Sequence, residues 1–416
     1  MPFGFYIIMA AQFFSALADN ALLAAAIVVL REMEAPTEYE PLLKTFFTVS
    51  YVALAAFVGA FADSMPKWKV MFISNSIKIV GCGMMFAGMH PLLSYAVVGL
   101  GAAAYSPAKY GILTEYLPHR LLVIANGWIE GLTVAAIVLG VVIGGQLIDP
   151  RVSERLLALG LPVIDTPGEM VIAAVSLFYL FAAWINLYVP NTGAELKPLK
   201  KTPLDLVREF GDCLSRLWRD RLGQISLAVT TLFWGAGAVL QFIVIDWAGS
   251  ALGFDLSRSF MLQGVVAIGV AVGATLAARM ISMRRSVRVI PLGILMGGLV
   301  ILMIPIRATE IAIPLLILIG ALSGFFVVPM NALLQHRGHL LMGAGHSIAV
   351  QNFNENLSIL VMTGLYYLMQ KNNLSIHWAI FLFGFFTAAA MFLIRLKHLD
   401  NQRRRDDVAL LDDTIH

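Results

Sequence analysis

Long apolar runs, each bounded by charged or turn-forming residues, recur along the whole 416-residue chain. A run of about 20 apolar residues is long enough to cross the hydrocarbon core of a bilayer as a helix. Hydrophobic residues make up 59% of the chain and charged residues 13%, whereas soluble domains carry about 25% charged residues, which excludes a soluble globular protein. The pattern predicts an all-α integral membrane protein with twelve transmembrane helices. The predicted spans lie near 5–30, 44–63, 69–88, 92–117, 121–147, 168–190, 223–247, 256–280, 288–306, 310–336, 341–369 and 375–396.

The longest loop, at 191–221, divides these spans into two sets of six. We therefore predict an N-terminal six-helix bundle at 1–190, a cytoplasmic linker at 191–222, a C-terminal six-helix bundle at 223–397 and a cytoplasmic tail at 398–416.

The two halves resemble parallel repeats. The sequence Val-Gly-Ala occurs at 58–60 and again at 272–274, and Pro107 in span four has a counterpart in Pro329 of span ten. Parallel six-helix repeats of this kind are common in transporters that work by alternating access, with the binding site near the bilayer midplane. The repeat therefore favours a transporter with a gating role for the two prolines.

Positive charge is distributed unevenly between alternate loops. With both termini in the cytoplasm, the cytoplasmic loops and the tail hold 20 lysines and arginines, whereas the outer loops hold seven. Cytoplasmic loops of membrane proteins carry an excess of Lys and Arg, so both termini are expected on the cytoplasmic side. The first residues carry no basic segment and continue into the first span, so no cleavable signal peptide is expected.

Span four contains a proline and a lysine at the end of an uncharged apolar run. Pro107 and Lys109 follow the sequence LLSYAVVGLGAAAYS. A lysine at the bilayer centre costs about 2.5–3.5 kcal/mol on insertion scales, so it normally faces a bundle interior, a water-filled cavity or a partner anion. Proline removes a backbone donor and disturbs the preceding turn. We interpret this span as facing a substrate; a lysine held by a buried acid for packing alone is the alternative.

Two acidic residues also lie deep within apolar spans. Asp19 is flanked by apolar residues for more than two helical turns on each side, and Asn20 beside it offers a donor and an acceptor. Span eleven carries the polar sequence QNFNEN, in which Asn352 and Glu355 are three residues apart and share a helix face. Acids at such depth indicate functional sites. We expect Asp19, Lys109 and Glu355 to meet in a shared polar cavity that binds the charged end of a substrate.

The loop after span two resembles a motif of the major facilitator superfamily. Gly59 and Asp63 are followed by Lys67 and Lys69, although the usual glycine-and-arginine ending of the motif is replaced. A carboxylate at a helix end can bind the terminus of a neighbouring helix, and a glycine permits close approach. We therefore predict a gating or supporting role for Asp63, with an ordinary acidic helix cap as the alternative. In the second half, Ala277 stands where the acid would be.

A narrower resemblance extends along most of the chain. Six segments, in the same order and spacing, resemble the lysophospholipid transporter family within that superfamily. They are AQFFSALADNALL (11–23), GLGAAAYSPAKYGILTE (99–115), ANGWIEG (125–131), LFWGAGAVLQF (232–242), GFFVVPMNALLQHRG (324–338) and VQNFNEN (350–356).

This resemblance implies a protein of the bacterial inner membrane that moves lysophospholipids, such as lyso-phosphatidylethanolamine and lyso-phosphatidylglycerol, from the outer to the inner leaflet. The implied functional partner is an acyltransferase and acyl carrier protein synthetase that re-acylates the delivered lipid. Members of the family can carry arginine at the position of Gln241. A neutral amide still donates to a phosphate but lacks the positive charge.

Two further charged residues, Lys78 and Glu130, lie within spans. We predict that they support the site, and a mutual ion pair is one way in which they would do so. For Asp19 the alternative to substrate contact is a purely structural pair with a lysine.

The first functional hypothesis is a lysophospholipid flippase that works by alternating access. The alternative is a proton-coupled transporter of amphipathic small molecules, in which Asp19 or Glu355 carries the proton, because burial raises the pKa of a carboxylate. An enzyme is disfavoured because no catalytic constellation occurs, and direct ATP drive is disfavoured because no phosphate-binding glycine loop occurs. The two cysteines show no metal-ligand spacing, and no cofactor, metal or nucleic-acid partner is expected.

Overall fold

The structure, a computed structural model, is helical throughout its regular elements. It describes residues 1–35, 39–148, 164–197, 202–254 and 256–404, together with 152, 155, 157, 158 and 408. Within the five continuous ranges, fourteen α-helices are numbered here in chain order, and 3₁₀ helices occur at His119–Leu121 and Met283–Val289. The α-helices are α1 Phe3–Glu32, α2 Tyr39–Ala53, α3 Ala55–Asp63, α4 Lys67–Phe86, α5 Pro91–Tyr116, α6 Leu122–Ile148, α7 Pro167–Asn186, α8 Pro203–Arg219, α9 Gly223–Leu252, α10 Leu256–Met280, α11 Ile290–Ile301, α12 Thr309–Met342, α13 Ala344–Lys371 and α14 Ile376–Arg404.

Each predicted span coincides with a helical segment. Among the described residues, eight helices are long and apolar enough to cross a membrane, and α2 with α3 forms a ninth span that bends by 63° at its break. Helix α11 is shorter, with 12 residues, and follows the 3₁₀ turn directly. Helix α5 contains Lys109, and α13 contains Asn352 and Glu355, three of the residues that the sequence analysis predicts to bind substrate.

The chain divides into two compact units. Unit 1 comprises Met1–Glu115, Ala135–Phe210 and Ala344–Asn352; unit 2 comprises Tyr116–Val134, Gly211–Gly343 and Phe353–His416. In unit 1, α7 packs against both α1 and α4. The core at this contact includes Leu22, Cys82 and Tyr179, which are at most 1% exposed. This packing holds α1 and α4 on the same neighbour, although they are far apart in sequence.

In unit 2, α10 and α12 approach each other so closely that their backbones touch through glycines. A Cβ atom at Gly273 would lie 1.8 Å from the carbonyl oxygen of Ala321, and one at Gly324 would lie 2.1 Å from that of Val270. Small residues at a four-residue spacing allow membrane helices to pack in this way, because van der Waals contact replaces the missing hydrophobic driving force. The α10–α12 contact therefore depends on the absence of side chains at these positions.

We expect Gly273→Ala to weaken unit 2 by about 1–3 kcal/mol, because the added methyl group forces the two backbones apart. The control is Gly264→Ala on the same helix, where an added Cβ meets nothing within 4 Å. The measurement is the apparent melting temperature of the purified protein in detergent. A fall for Gly273→Ala, with no fall for Gly264→Ala, is the expected result; equal behaviour would contradict it.

Candidate functional site

A buried ion pair joins α1 and α4 in unit 1. Lys78 Nζ lies 2.8 Å from Asp19 Oδ1 and 2.9 Å from Asp19 Oδ2. The lysine side chain is 1% exposed, whereas the aspartate side chain is 22% exposed. A lysine buried to this extent needs a counter-ion, because an unpaired charge in a low-dielectric interior is strongly unfavourable. Asp19 is therefore the solvent-accessible member of the pair, and Lys78 is buried.

Polar and aromatic side chains fix the pair in place. The hydroxyl of Tyr179 donates to Asp19 Oδ1 at 2.7 Å, and Lys78 Nζ donates to Ser15 Oγ at 3.0 Å. The ammonium group also lies 5.0 Å and 5.4 Å from the ring centroids of Tyr105 and Tyr179. Cation–π contacts of this kind are strongest when the cation is desolvated. These contacts preorganise the Asp19 carboxylate, whose exposed part can accept from a ligand cation.

The counter-ion of Lys78 is Asp19 and not Glu130, with which the sequence analysis suggests a pair. The physical reason is the shared packing of α1 and α4 on α7, which brings together residues 59 positions apart. Glu130 lies in α6, and its side chain is outside the part of the chain that the structure describes.

Four residues of this cluster were missed by the sequence analysis: Ser15, Asn75, Tyr105 and Tyr179. Ser15 donates to Asn75 Oδ1 at 2.9 Å, and Tyr179 caps the acid from α7. Ser15 lies four residues before Asp19, and Asn75 lies three residues before Lys78, so both share a helix face with the charged residue. This spacing could have been used to predict Ser15 and Asn75 from the sequence. Tyr179 sits in an apolar helix and offered no signal.

Asn20 and Lys109 were also predicted to bind substrate. Asn20 Nδ2 donates to the carbonyl of Ala16 in its own helix at 2.8 Å. Lys109 is half-buried on α5, and its Nζ lies 4.9 Å from the ring centroid of Tyr110. Its backbone carbonyl accepts from Gln12 Nε2 at 3.0 Å, which ties α5 to α1. The lysine that neutralises Asp19 is thus Lys78, and Lys109 is a second, separate cation of unit 1.

Helix α13 contributes an amide to unit 1. Asn352 Nδ2 donates to Ser106 Oγ on α5 at 2.7 Å, directly before Pro107, which lies inside the helix. Asn352 therefore contacts the same helix that carries Lys109. Glu355 follows three residues later on α13, belongs to unit 2, and is 6% exposed.

Gln241 lies half-buried on α9 in unit 2. Its backbone carbonyl accepts from Gln263 Nε2 on α10 at 2.6 Å. Its side-chain amide forms no hydrogen bond with any other residue that the structure describes. An amide in this condition is available to donate to a ligand. Pro329, the second predicted gating proline, lies inside α12 among buried residues.

The carboxylate of Asp63 receives the N-terminus of α13 within unit 1. Asp63 Oδ1 accepts from the backbone N–H of Gly345 at 2.8 Å, and Oδ2 accepts from that of His346 at 3.3 Å. His346 Nδ1 lies 2.7 Å from Oδ2, and we assign the imidazole as donor because an ionised carboxylate only accepts. Negative charge is favourable at a helix N-terminus. An added Cβ atom at Gly59 would lie 3.0 Å from the Cβ atom of Ala349, so the glycine allows α3 and α13 to lie this close together.

Lys67 extends the Asp63 cluster to a second acid. Its Nζ lies 2.9 Å from Asp63 Oδ1 and 3.1 Å from Glu115 Oε1, and it donates to the carbonyl of Ala62 at 2.7 Å. Glu115 also accepts from Thr192 Oγ1 at 2.9 Å. Glu115 was not predicted, although it ends the segment that carries Lys109. The cluster therefore links α3, α4, α5, the segment after α7 and the start of α13.

We expect Asp63→Asn to destabilise unit 1 by about 1.5–3 kcal/mol, because hydrogen bonds to a charged group are worth about this much. The control is Asp205→Asn, at an exposed site where, among the described residues, the acid accepts only from Thr202. Melting temperature in detergent is the measurement. A fall of the same size in both variants would contradict the assignment of Asp63 as the ligand of the α13 terminus.

The chemistry available in these clusters is recognition of charge. Unit 1 offers an accessible carboxylate and a half-buried lysine, and unit 2 offers a neutral amide and a buried acid. The residues that the structure describes contain no group of three or more His, Cys, Asp or Glu side chains placed to hold a metal ion. Unit 1 by itself thus offers groups of both charges, which can bind a cation or an anion.

Comparison with known sequences finds close relatives over most of the chain. Residues 8–363 match the Major Facilitator Superfamily. The chain is 41% identical over 369 residues to the lysophospholipid transporter LplT of Yersinia enterocolitica, with 88% of this chain and 87% of the relative covered. It is also 41% identical over 365 residues to LplT of Yersinia pestis strain Pestoides F, with coverage of 88% and 86%.

Comparison with solved structures finds the same fold at low sequence identity. The human organic anion transporter MFSD10 superposes with a TM-score of 0.72 at 15% identity and covers 95% of this chain and 100% of its own. The major facilitator transporter FucP in its outward conformation gives 0.73 at 13% identity, covering 95% and 98%. A bacterial homologue of the iron transporter ferroportin gives 0.71 at 11% identity, covering 97% and 100%. At this identity the likeness establishes the fold alone.

Proposed function

The chain belongs to the lysophospholipid transporter family of the major facilitator superfamily, and we propose that it moves lysophospholipids from the outer to the inner leaflet of the bacterial inner membrane. The observation that carries the proposal is the 41% identity to transporters named for this substrate, over 88% of the chain. The proteins it resembles are transporters rather than enzymes.

The proposed mechanism is alternating access by two six-helix bundles, 1–190 and 223–397, joined by the linker at 191–222. Both termini, including the tail at 398–416, lie in the cytoplasm in this proposal. The delivered lipid is re-acylated there by an acyltransferase and acyl carrier protein synthetase. Asp63, Pro107 and Pro329 belong to the moving parts, because they sit at a helix terminus or inside a helix.

The headgroup of lyso-phosphatidylethanolamine carries a phosphate and an ammonium, which require opposite charges at the site. We assign the ammonium to Asp19, because its carboxylate is the exposed member of the ion pair and Lys78 holds it in place. We assign the phosphate to Lys109, the half-buried cation of α5. Charge-assisted hydrogen bonds of this type are about twice as strong as neutral ones.

Amides and a second acid complete the proposed site. Asn20 is adjacent to Asp19, and Asn352 contacts the helix that carries Lys109. In unit 2, Glu355 and Gln241 are the proposed contacts. A headgroup that loses water in transit needs such donors and acceptors, because a buried polar group without a partner is costly.

The acyl chain needs an apolar environment throughout transport, at about 0.8 kcal/mol per CH₂ group kept from water. Aromatic pairs occur in both units. Phe14 packs edge-on against Phe181 in unit 1, with ring centroids 4.8 Å apart, and Phe233 packs against Phe326 in unit 2 at 5.8 Å. We propose that aromatic surfaces of this kind accommodate the tail while the headgroup crosses.

We expect Gln241→Arg to shift preference toward lyso-phosphatidylglycerol over lyso-phosphatidylethanolamine by about fivefold. The reason is that a charged donor binds a phosphate about 1 kcal/mol more strongly than a neutral amide does. Lyso-phosphatidylglycerol also has no ammonium group that the new arginine would repel, whereas lyso-phosphatidylethanolamine has one. Gln241→Met, which removes the amide without adding charge, is the control. The ratio of the two transport rates is the measurement, and an unchanged ratio would mean that position 241 does not contact the headgroup.

The experiment that tests the substrate assignment is uptake of spin-labelled lyso-phosphatidylethanolamine into vesicles that contain the purified protein. A panel of cationic amphipathic drugs is tested in the same vesicles, with and without an imposed proton gradient. Uptake of the lysolipid and not of the drugs is expected. Proton-driven movement of the drugs without movement of the lysolipid would favour the alternative transporter instead.

A further inference from the structure

A large basic cavity lies in unit 2, away from the residues assigned to transport. It has a volume of about 930 Å³ and lies between the 3₁₀ helix at Met283–Val289 and the last part of α14. Four arginines line it, three from the 3₁₀ helix and one from α14: Arg284, Arg285, Arg288 and Arg395. The segment 281–289 connects α10 to α11, so the cavity is at one end of these helices rather than at their centre.

In the described part of the chain, no acidic side chain neutralises the positive charge of this cavity. None of the four arginine side chains forms an ion pair or a hydrogen bond with another residue in the described part of the chain. The comparable loop of the first half behaves differently, because its Lys67 contacts both Asp63 and Glu115. In the second half, Ala277 replaces the acid. Four like charges around one cavity favour an external anion.

Apolar residues form part of the wall beside the arginines, together with the polar Ser282, His398 and Gln402. Met280 is 62% exposed and Leu399 is 42% exposed, and both line the cavity together with Ile290 and Pro291. In a chain whose helices cross a membrane, such residues at a helix end face the boundary between headgroups and acyl chains. A cavity lined by arginines and bordered by apolar side chains fits an amphipathic anion better than a small soluble anion.

We propose that this cavity binds the phosphate headgroup of an anionic phospholipid of the bilayer. The guanidinium groups contact the phosphate oxygens, since their planar forks match phosphate geometry. The acyl chains lie along Met280 and Leu399. In the proposed orientation the cavity is on the cytoplasmic side, where basic pockets between helices bind anionic lipid headgroups. The ligand is a membrane component rather than the transported lysolipid, and its binding does not depend on transport.

The test uses the purified full-length protein in a neutral detergent and measures bound lipid by native mass spectrometry. Phosphatidylglycerol, phosphatidylcholine and inorganic phosphate are titrated separately. The variant is Arg284→Gln with Arg288→Gln, two exposed positions whose replacement leaves no buried group unpaired. The matched control is Arg216→Gln with Arg219→Gln on α8, which removes the same charge from exposed positions elsewhere.

We expect the cavity variant to bind phosphatidylglycerol about 25-fold more weakly at one site, because each arginine near a membrane surface contributes about a fivefold factor. The control variant and the wild type retain the tight site, and phosphatidylcholine does not occupy it. Arg395→Gln, on the opposite wall, lowers the same affinity about fivefold and confirms the location.

Equal affinity for phosphatidylglycerol in the cavity and control variants would overturn the proposal. Equal binding of phosphatidylcholine would also overturn it, since the site would then not select an anion. Inorganic phosphate that displaces the lipid at millimolar concentration would reassign the cavity to a soluble phosphate and overturn the lipid as its ligand.

Discussion

Asp19→Asn is expected to abolish lysophospholipid transport and to lower the stability of unit 1 by about 3–5 kcal/mol. The loss of stability follows because Lys78 is 1% exposed and loses its only carboxylate partner among the described residues. The loss of transport follows from the proposed role of Asp19 as the acceptor for the substrate ammonium. Melting temperature in detergent and lysolipid uptake in vesicles measure the two effects.

The double variant Asp19→Asn with Lys78→Met separates these two effects. Replacing a buried ion pair by uncharged side chains is often neutral for stability, whereas removing one partner is not. We therefore expect the double variant to regain most of the melting temperature lost by Asp19→Asn but to remain inactive. If transport returned together with stability, Asp19 would be a structural residue and not a ligand of the headgroup.

Lys109→Ala is expected to reduce transport by about 10-fold to 150-fold. A hydrogen bond to a charged group is worth about 1.5–3 kcal/mol, which corresponds to this range. The lysine is half-buried and lies over the ring of Tyr110. Initial rates of lyso-phosphatidylethanolamine uptake are the measurement.

The control for this variant is Lys69→Ala, which removes an exposed lysine that lies 5.4 Å from the Trp68 ring. It has the same side-chain chemistry but no assigned role in the site. Lys109→Arg keeps the charge and is expected to retain part of the activity. Normal transport by Lys109→Ala would remove this lysine from the proposed headgroup site.

The helical spans were predictable because a bilayer imposes a length and a composition on each of them. The break between α2 and α3 was not, since it falls at Leu54, with alanines on both sides and no proline or glycine to mark it. The linker was predicted without its helix α8, whose apolar Leu206 and Leu217 are buried while Asp205, Arg208, Arg216 and Arg219 are exposed. Local breaks and amphipathic connectors depend on tertiary packing that a hydropathy pattern does not contain.

The charged residues of the site were predictable individually, because each is costly inside a membrane. Their pairing was not, since Asp19 and Lys78 meet only through the packing of α1 and α4 on α7. Asp63 was identified from its motif, but its partners Gly345 and His346 lie 282 and 283 positions away. Sequence therefore indicated candidate residues for the site, and the structure supplied their contacts.

The central claim is that charged side chains within the spans carry a lysophospholipid headgroup through the bilayer. Its most direct test is the rate at which labelled lyso-phosphatidylethanolamine leaves the outer leaflet of protein-containing vesicles, followed with a membrane-impermeant quencher. We predict a rate well above that of protein-free vesicles for the wild type, and a rate equal to that of protein-free vesicles for the folded Asp19→Asn, Lys78→Met double variant. Equal rates with and without the wild-type protein, or equal rates for wild type and double variant, would contradict the claim.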